Sequence, residues 1–260
     1  MRIAVSLKKF LIAGGVLGGV VGGVTAALVA WSGGPGDPVG PRPLTSDEAQ
    51  RMALARFHAY RASPSAVTVR SVAPGGTVVV TAVVDQRAHR AVGEYRTAGT
   101  RGLLAWDLAD VGVARRGGAP GAPGDVLRAV RAVGERQWTR RRITRDPLDV
   151  GLRLALSLAA DRPDNAQLLA QSGPLWLREE RIDGRSYGVF SGPRPRPASG
   201  GAPPVGRSPL TYWIDADGTL RRVTADLGPG RSVTVDITAG KVPGKVPEVP
   251  WKHQLVGREG

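Results

Sequence analysis

An uncharged, proline-free run of about 22 residues, Phe10 to Trp31 (FLIAGGVLGGVVGGVTAALVAW), constrains this chain more than any other stretch. As an α-helix it would extend roughly 33 Å, enough to cross a hydrocarbon core of ~30 Å. Arg2, Lys8 and Lys9 precede it, and the first acidic residue is Asp37. The positive-inside rule then keeps residues 1–9 in the cytoplasm and exports everything after residues 10–31. A cleaved signal peptide is the rival reading, because Ala27 and Ala30 place small residues near the end of the run. The run is longer than the ~7–15-residue apolar stretch of most signal peptides, which favours an uncleaved anchor. Both readings place the main domain outside the membrane, anchored in the first case and secreted in the second. Lipidation would need a cysteine, and the sequence has none.

Six glycines in the run form two ladders: Gly14, Gly18 and Gly22, and beside them Gly15, Gly19 and Gly23. Small residues at this spacing let two helix backbones approach closely in lipid. The expected partner is a second copy or another membrane protein. The bland alternative is a glycine-rich anchor in a chain that is glycine-rich throughout, with 36 Gly and 21 Pro.

The net charge is +14, arginine far outnumbers lysine, and nearly all basic residues follow the span. Such a domain should be drawn to anionic head groups or wall polymers. A basic balance of this size often marks a nucleic-acid binder, but export argues against that partner.

Residues 32–44 are a Gly/Pro-rich linker that offers little to bury. The exported domain is expected over residues 45–240, with an irregular basic tail over 241–260. Thr45-Ser46-Asp47-Glu48 is a capping box and opens a helix that ends near Ala62. Strands rich in Val, Thr and aromatics follow at 66–72, 77–86, 91–97 and 103–108, with connections short enough for an antiparallel meander. Residues 117–124 read as a surface loop, 125–133 as a short helix and 137–144 as a strand. Asp146-Pro147 starts a second helix, expected to run to Ala160. Its one polar stripe is Asp149, Arg153 and Ser157, of which the first two can pair as a salt bridge. All its other faces are apolar, so it must be buried or line an apolar cavity. A short helix is expected at 166–171. A second meander reads at 175–182, 186–190, 211–214, 220–227 and 232–237, with Asp183-Gly184 and Asp217-Gly218 as hairpin signals. Residues 192–209 form a long insertion, and Trp251 in the tail is a candidate to dock on the domain.

No catalytic constellation survives inspection, so an enzyme is not expected. Gly184-Arg185-Ser186-Tyr187-Gly188 matches the G-x-S-x-G pattern of serine hydrolases. That chemistry needs strand, turn, then helix, whereas here Ser186 follows a hairpin turn and starts a strand. Asp215-Ala216-Asp217-Gly218 resembles the start of a calcium loop but lacks the downstream Glu. His58, His89 and His253 have no ligand spacing, so neither metal nor cofactor is expected. Arg136, Arg140, Arg141, Arg142 and Arg145 form the densest basic cluster. They are candidates for contact with an anionic surface, against the plain reading of a solvated strand face.

Two stretches carry a resemblance: Leu175-Trp176-Leu177 through Asp183-Gly184 to Val189-Phe190, and the hairpin Leu210-Thr211-Tyr212-Trp213-Ile214-Asp215-Ala216-Asp217-Gly218-Thr219-Leu220. With the order helix, meander, helices, meander, the chain resembles the LolA-like superfamily of lipid and lipoprotein carriers, and within it the LppX/LprG-type actinobacterial lipoproteins. Asp146-Pro147-Leu148-Asp149 and Asp161-Arg162-Pro163-Asp164-Asn165 are also similar to a group of membrane-anchored actinobacterial proteins of unassigned function. The resemblance implies an α+β fold: a single transmembrane helix, then a curved antiparallel half-barrel with helices on its concave face. It also implies an apolar cavity between sheet and helices for a lipid or other hydrophobic ligand. Met52, Phe57, Leu148, Leu152 and Leu156 are the expected lining. The chain departs from those carriers in having a membrane span instead of a lipobox cysteine, so a fixed receptor or hand-off station fits better than a free shuttle. The other reading is a sensory or scaffolding ectodomain that works through protein contacts and has no ligand cavity.

Overall fold

A computed structural model describes residues 40–115, 123–194, 207–238 and 244–251, with Gly240 and Val242. The expected membrane span, its glycine ladders and the linker up to residue 39 lie outside the described residues. Among those described, no helix is long and apolar enough to cross a membrane.

The protein is α+β, with few helices and one large, open antiparallel sheet. Its elements are β1 (Arg42–Pro43), α1 (Ser46–Ala62), β2 (Ser65–Ala73), β3 (Gly76–Asp85), β4 (Arg90–Arg96), β5 (Arg101–Trp106), β6 (Asp110–Arg115), α2 (Pro123–Ala132), β7 (Thr139–Arg142), α3 (Pro147–Ser157), α4 (Ala166–Gln171), β8 (Leu175–Ile182), β9 (Arg185–Ser191), β10 (Leu210–Ile214), β11 (Leu220–Asp226) and β12 (Ser232–Thr238). The 12 strands lie in the order β1-β8-β9-β10-β11-β12-β2-β3-β4-β5-β6-β7. Two meanders, β2 to β7 and β8 to β12, are thus joined by one long-range pair, β12 against β2. That ladder sets Ser232 opposite Val72 and Thr238 opposite Ala66.

Local chemistry fixes the ends of the elements. Thr45 Oγ1 accepts from the Glu48 backbone N–H at 3.3 Å, and Glu48 Oε2 accepts from the Thr45 N–H at 2.8 Å. The expected capping box is therefore complete. The β8–β9 connection places Asp183 at φ 51° and Gly184 at φ 78°, so both residues adopt the left-handed conformation that a tight two-residue hairpin requires.

Alternation along the strands divides the apolar residues between two faces. Val80, Ala82 and Val84 of β3 face the main core with Val67 and Val69 of β2 and Val233 and Val235 of β12. Met52 and Ala55 of α1 and Leu152, Ala155 and Leu156 of α3 cover them. On the opposite face Val83, Val92, Leu103 and Ala105 pack under Val126, Leu127 and Val130 of α2 and under Val246, Val249 and Trp251. The helices therefore do not share one face, as the sequence reading had them: α2 and the tail segment lie on the other side of the sheet. Trp251 docks as expected and is buried.

Three further expectations need correction. Residues 110–115 form a strand that was missed, because Asp110 and Gly112 break its apolar alternation. Helix α3 ends at Ser157 with Leu158 as its C-cap, short of Ala160. Asp149 does not pair with Arg153. Its two oxygens take the Arg141 fork at 2.6 and 2.8 Å.

Candidate functional site

The helix-covered face of the sheet holds the expected lining residues. Met52, Leu152 and Leu156 belong to the main core and are buried, the last two completely. Leu148 is half-buried and packs against that core. Phe57 stands apart from the core, half-buried, with the Arg61 guanidinium 5.9 Å from its ring centroid. Four of the five candidates thus come together, but as the floor of the face.

Helix α3 sits hard on the sheet. A Cβ on Gly151 would fall 2.7 Å from Val69 Cγ1 and 2.8 Å from Val233 Cγ1, so only glycine fits there. The Trp106 indole N–H donates to the Leu152 carbonyl at 3.0 Å, tying β5 to the same helix. The space between α3 and strands β2 and β12 is therefore filled by protein.

Around this floor lies a ring of apolar side chains that pack against the core and still reach solvent. It includes Leu44 before α1, Leu154 on α3, Leu169 on α4, Trp176 on β8, and Leu210 and Tyr212 on β10. Of these elements, α4 and β10 pack directly against α1. The loop after α3 is pinned to α1 by two backbone hydrogen bonds, Ala160 N–H to the Arg56 carbonyl at 3.1 Å and Asp164 N–H to the Ala53 carbonyl at 3.0 Å. Arg56 adds a contact to Asp164 at 3.6 Å and a long hydrogen bond to the Ala159 carbonyl at 3.4 Å. Tyr212 lies within the field of that pair. Burial pushes its hydroxyl up to about 12, with Arg56 opposing and Asp164 adding to the rise. The phenol is therefore protonated at neutral pH, and it can donate a hydrogen bond.

Of the basic cluster, Arg140 meets Asp110 at 2.7 Å and Arg142 meets it at 3.6 Å. Arg141 is held by Asp149 in a two-pronged contact. Arg136 and Arg145 are exposed, and neither has a carboxylate partner among the described residues. All four residues of β7 are exposed, and two carboxylates, Asp110 and Asp149, meet three of the five arginines.

The motifs set aside in the sequence have ordinary roles. Ser186 is exposed on β9 just past its turn. Asp215 Oδ1 accepts from the Asp217 N–H at 3.1 Å and the Thr219 N–H at 2.7 Å, so its carboxylate shapes the β10–β11 turn. Among the described residues no group of three metal-ligating side chains assembles.

Sequence reasoning missed one arginine–aromatic framework. Arg42 grips both oxygens of buried Glu48 at 2.7 Å and lies 4.5 Å from the Trp176 ring centroid. It thereby ties β1, α1 and β8 together. On the other face, Arg178 and Arg222 flank Trp213 at 5.9 and 5.8 Å. Only their positions opposite one another in the ladder reveal such contacts, and that register is invisible before the sheet order is known. No protein-family model matches the chain, and no curated protein matches it at a significant level.

Proposed function

We propose that this chain is a membrane-anchored, extracytoplasmic binding protein for a lipid or other hydrophobic ligand, related in fold to LolA-like carriers. The observation that carries this reading is the ring of half-buried apolar side chains on the helix-covered face: Leu44, Leu154, Leu169, Trp176, Leu210 and Tyr212. Binding sites of this kind are mainly apolar, with a few placed polar groups. Here Tyr212 and the Arg56–Asp164 pair are the polar groups. In this reading the ligand lies beside α1, between α4 and strands β8 to β10, over the floor of Met52, Leu152 and Leu156. The sheet is taken to curve around α1 and α3 as a half-barrel, and residues 10–31 hold the domain at the membrane.

The close seat of Gly151 favours a second reading. With the α3 side filled, the same apolar ring could serve a protein partner, and the chain would be a scaffolding ectodomain. Native mass spectrometry of the full chain, purified from its own cell envelope, separates the two. The ligand reading expects co-purifying lipid whose occupancy drops when Leu154→Gln and Trp176→Gln are combined. A lipid-free protein that is captured with a defined membrane partner, and loses that partner in the same double variant, would establish the second reading.

A further inference from the structure

The two margins of the sheet are built differently. At one, β7 ends the order with all of its residues exposed, Thr139 followed by Arg140, Arg141 and Arg142. At the other, β1 covers β8 at Leu175 and Trp176 alone. The rest of β8, Leu177 to Ile182, pairs with β9 on one side, and no described residue pairs with it on the other. The direction of its backbone groups follows from the turn. Asp183-Gly184 is a two-residue connection, so Ile182 and Arg185 close it as a hydrogen-bonded pair. Antiparallel pairs alternate, so Glu180 with Tyr187 and Arg178 with Val189 are also bonded to β9. Glu179 and Arg181 fall between them and aim their N–H and C=O groups at the open margin. Both side chains are exposed, and neither has an ionic partner among the described residues.

We propose that this margin is the interface for a second copy of the chain, paired antiparallel, β8 to β8, about a two-fold axis at Glu180. An open strand edge is a template for another strand, and its side chains decide which strand fits. Centred on Glu180, the pairing sets Glu179 opposite Arg181 of the second copy and Arg181 opposite its Glu179. Each of these pairs exchanges both backbone hydrogen bonds and joins opposite charges. Centred on Glu179 or Arg181 instead, the two-fold sets like charges opposite one another. Centred between residues, it sets outward groups against inward ones. Centres further along meet β1 or run past the turn. The free length also fits, since Arg178 meets Ile182 of the second copy at each end of the seam. On that face Ile182 arrives beside an arginine that lies 5.9 Å from the ring centroid of Trp213, and so extends the small cluster of Tyr187, Val189 and Trp213 across the seam. The facing Glu180 carboxylates are each held by their own Arg178 at 2.7 Å. At the other margin the same pairing of β7 would set arginine against arginine, which blocks it. The axis is perpendicular to the sheet, so both helix-covered faces, with their apolar rings, lie on one side of a continuous sheet. The pairing does not depend on what those rings bind.

The test uses the full chain in detergent micelles. The sequence has no cysteine, so a single introduced one reports without background. Glu180 faces itself in a pair that is not hydrogen-bonded, with about 4.5 Å between Cα atoms, close enough for a disulfide. Under mild oxidation Glu180→Cys should therefore give a cross-linked dimer at least roughly ten-fold faster than Ser186→Cys on β9 or Arg142→Cys on β7. Glu179→Arg and Arg181→Glu should each weaken the dimer roughly five- to ten-fold in sedimentation equilibrium, because each sets like charges opposite across both pairs. The double swap restores the complementarity and should restore the dimer, and the two single variants mixed together should form a heterodimer. Amide exchange at Glu179 and Arg181 should be slow in the dimer and fast on dilution to the monomer. A monomer at all concentrations would overturn the proposal. A dimer that ignores the charge swaps and does not cross-link at position 180 would overturn it too, by placing the association elsewhere, as in the membrane span. Slow exchange of the two amides in the dilute monomer would also overturn it, because the chain's own residues would then fill the margin.

Discussion

Asp149 shows how a single side chain can decide a local structure. It is fully buried, yet it carries the charge that organises the turn into α3. Burial alone would raise its pKa. The Arg141 fork and the Thr144 hydroxyl and backbone N–H outweigh that and hold it below its ordinary 3.8. A carboxylate with a depressed folded pKa contributes stability that is fully present above about pH 4. That contribution is lost as the pH falls through the folded value. The urea midpoint should therefore drop as the pH falls below about 4, and Asp149→Asn should flatten much of that slope. The two partners should not be equivalent. Arg141 is partly exposed, with 43% of its side chain accessible, and can regain water when Asp149 is removed. Arg141→Ala instead leaves a carboxylate buried with only Thr144, and should cost about 3 kcal/mol. Asp149→Asn should cost less, about 1–2 kcal/mol, because Thr144 keeps an acceptor. Equal losses in the two variants, measured by urea unfolding at pH 7, would refute this account.

At the scale of the element, α3 is positioned by what its sequence lacks. Gly151 ordinarily weakens a helix by about 1 kcal/mol relative to Ala. Here the missing Cβ lets the backbone settle between Val69 and Val233. Gly151→Ala should therefore destabilise despite its better propensity, by about 1–2 kcal/mol, since overpacking a tight core costs ~1–3. Adding Val233→Ala should return part of the loss, a coupling that a double-mutant cycle reads directly. If Gly151→Ala stabilises the protein, α3 does not rest on the sheet in this way. This close contact also shows where sequence reading reached its limit. The helix itself was plain from Asp146-Pro147 and its apolar run, and so were α1 from its capping box and β8 and β9 from Asp183-Gly184. Those signals are local. Which face each helix covers depends on the sheet order, which no local pattern encodes, so α2 was placed on the wrong side. The pairing of Asp149 was misjudged for the same reason: Arg153 is near in helical spacing, whereas Arg141 arrives on a strand from before the turn. Likewise the candidate lining residues were the most apolar ones, and the most apolar side chains fill the floor. The ring around them mixes Leu with Trp and Tyr, scattered over α3, α4, β8 and β10, and gives no periodic signal.

At the scale of the whole molecule, the decisive contact is the ladder between β12 and β2. It joins strands more than 150 residues apart in sequence and makes one sheet of two meanders. Helix α3 reinforces it, since it packs across β2, β3 and β12, with Gly151 against Val69 and Val233. Trp106 from the first meander and Phe190, Ile214 and Val223 from the second share the main core. A domain built this way should unfold as one unit, because neither meander can expose its face to water while the other stays folded. Such non-local pairing should also make folding slow, since loop closure precedes any gain from contact. Trp106 and Trp213 are both buried and report on opposite halves. Variants in which all other tryptophans but one are replaced by Phe should show the same urea midpoint from either reporter. Val235→Pro, placed in the middle of the β12–β2 ladder opposite Val69, removes a central backbone donor and should shift both midpoints down together. A Val235→Pro protein in which the Trp213 signal is lost while Trp106 keeps its midpoint would mean that the first meander folds alone. The β12–β2 seam would then be an interface between two units.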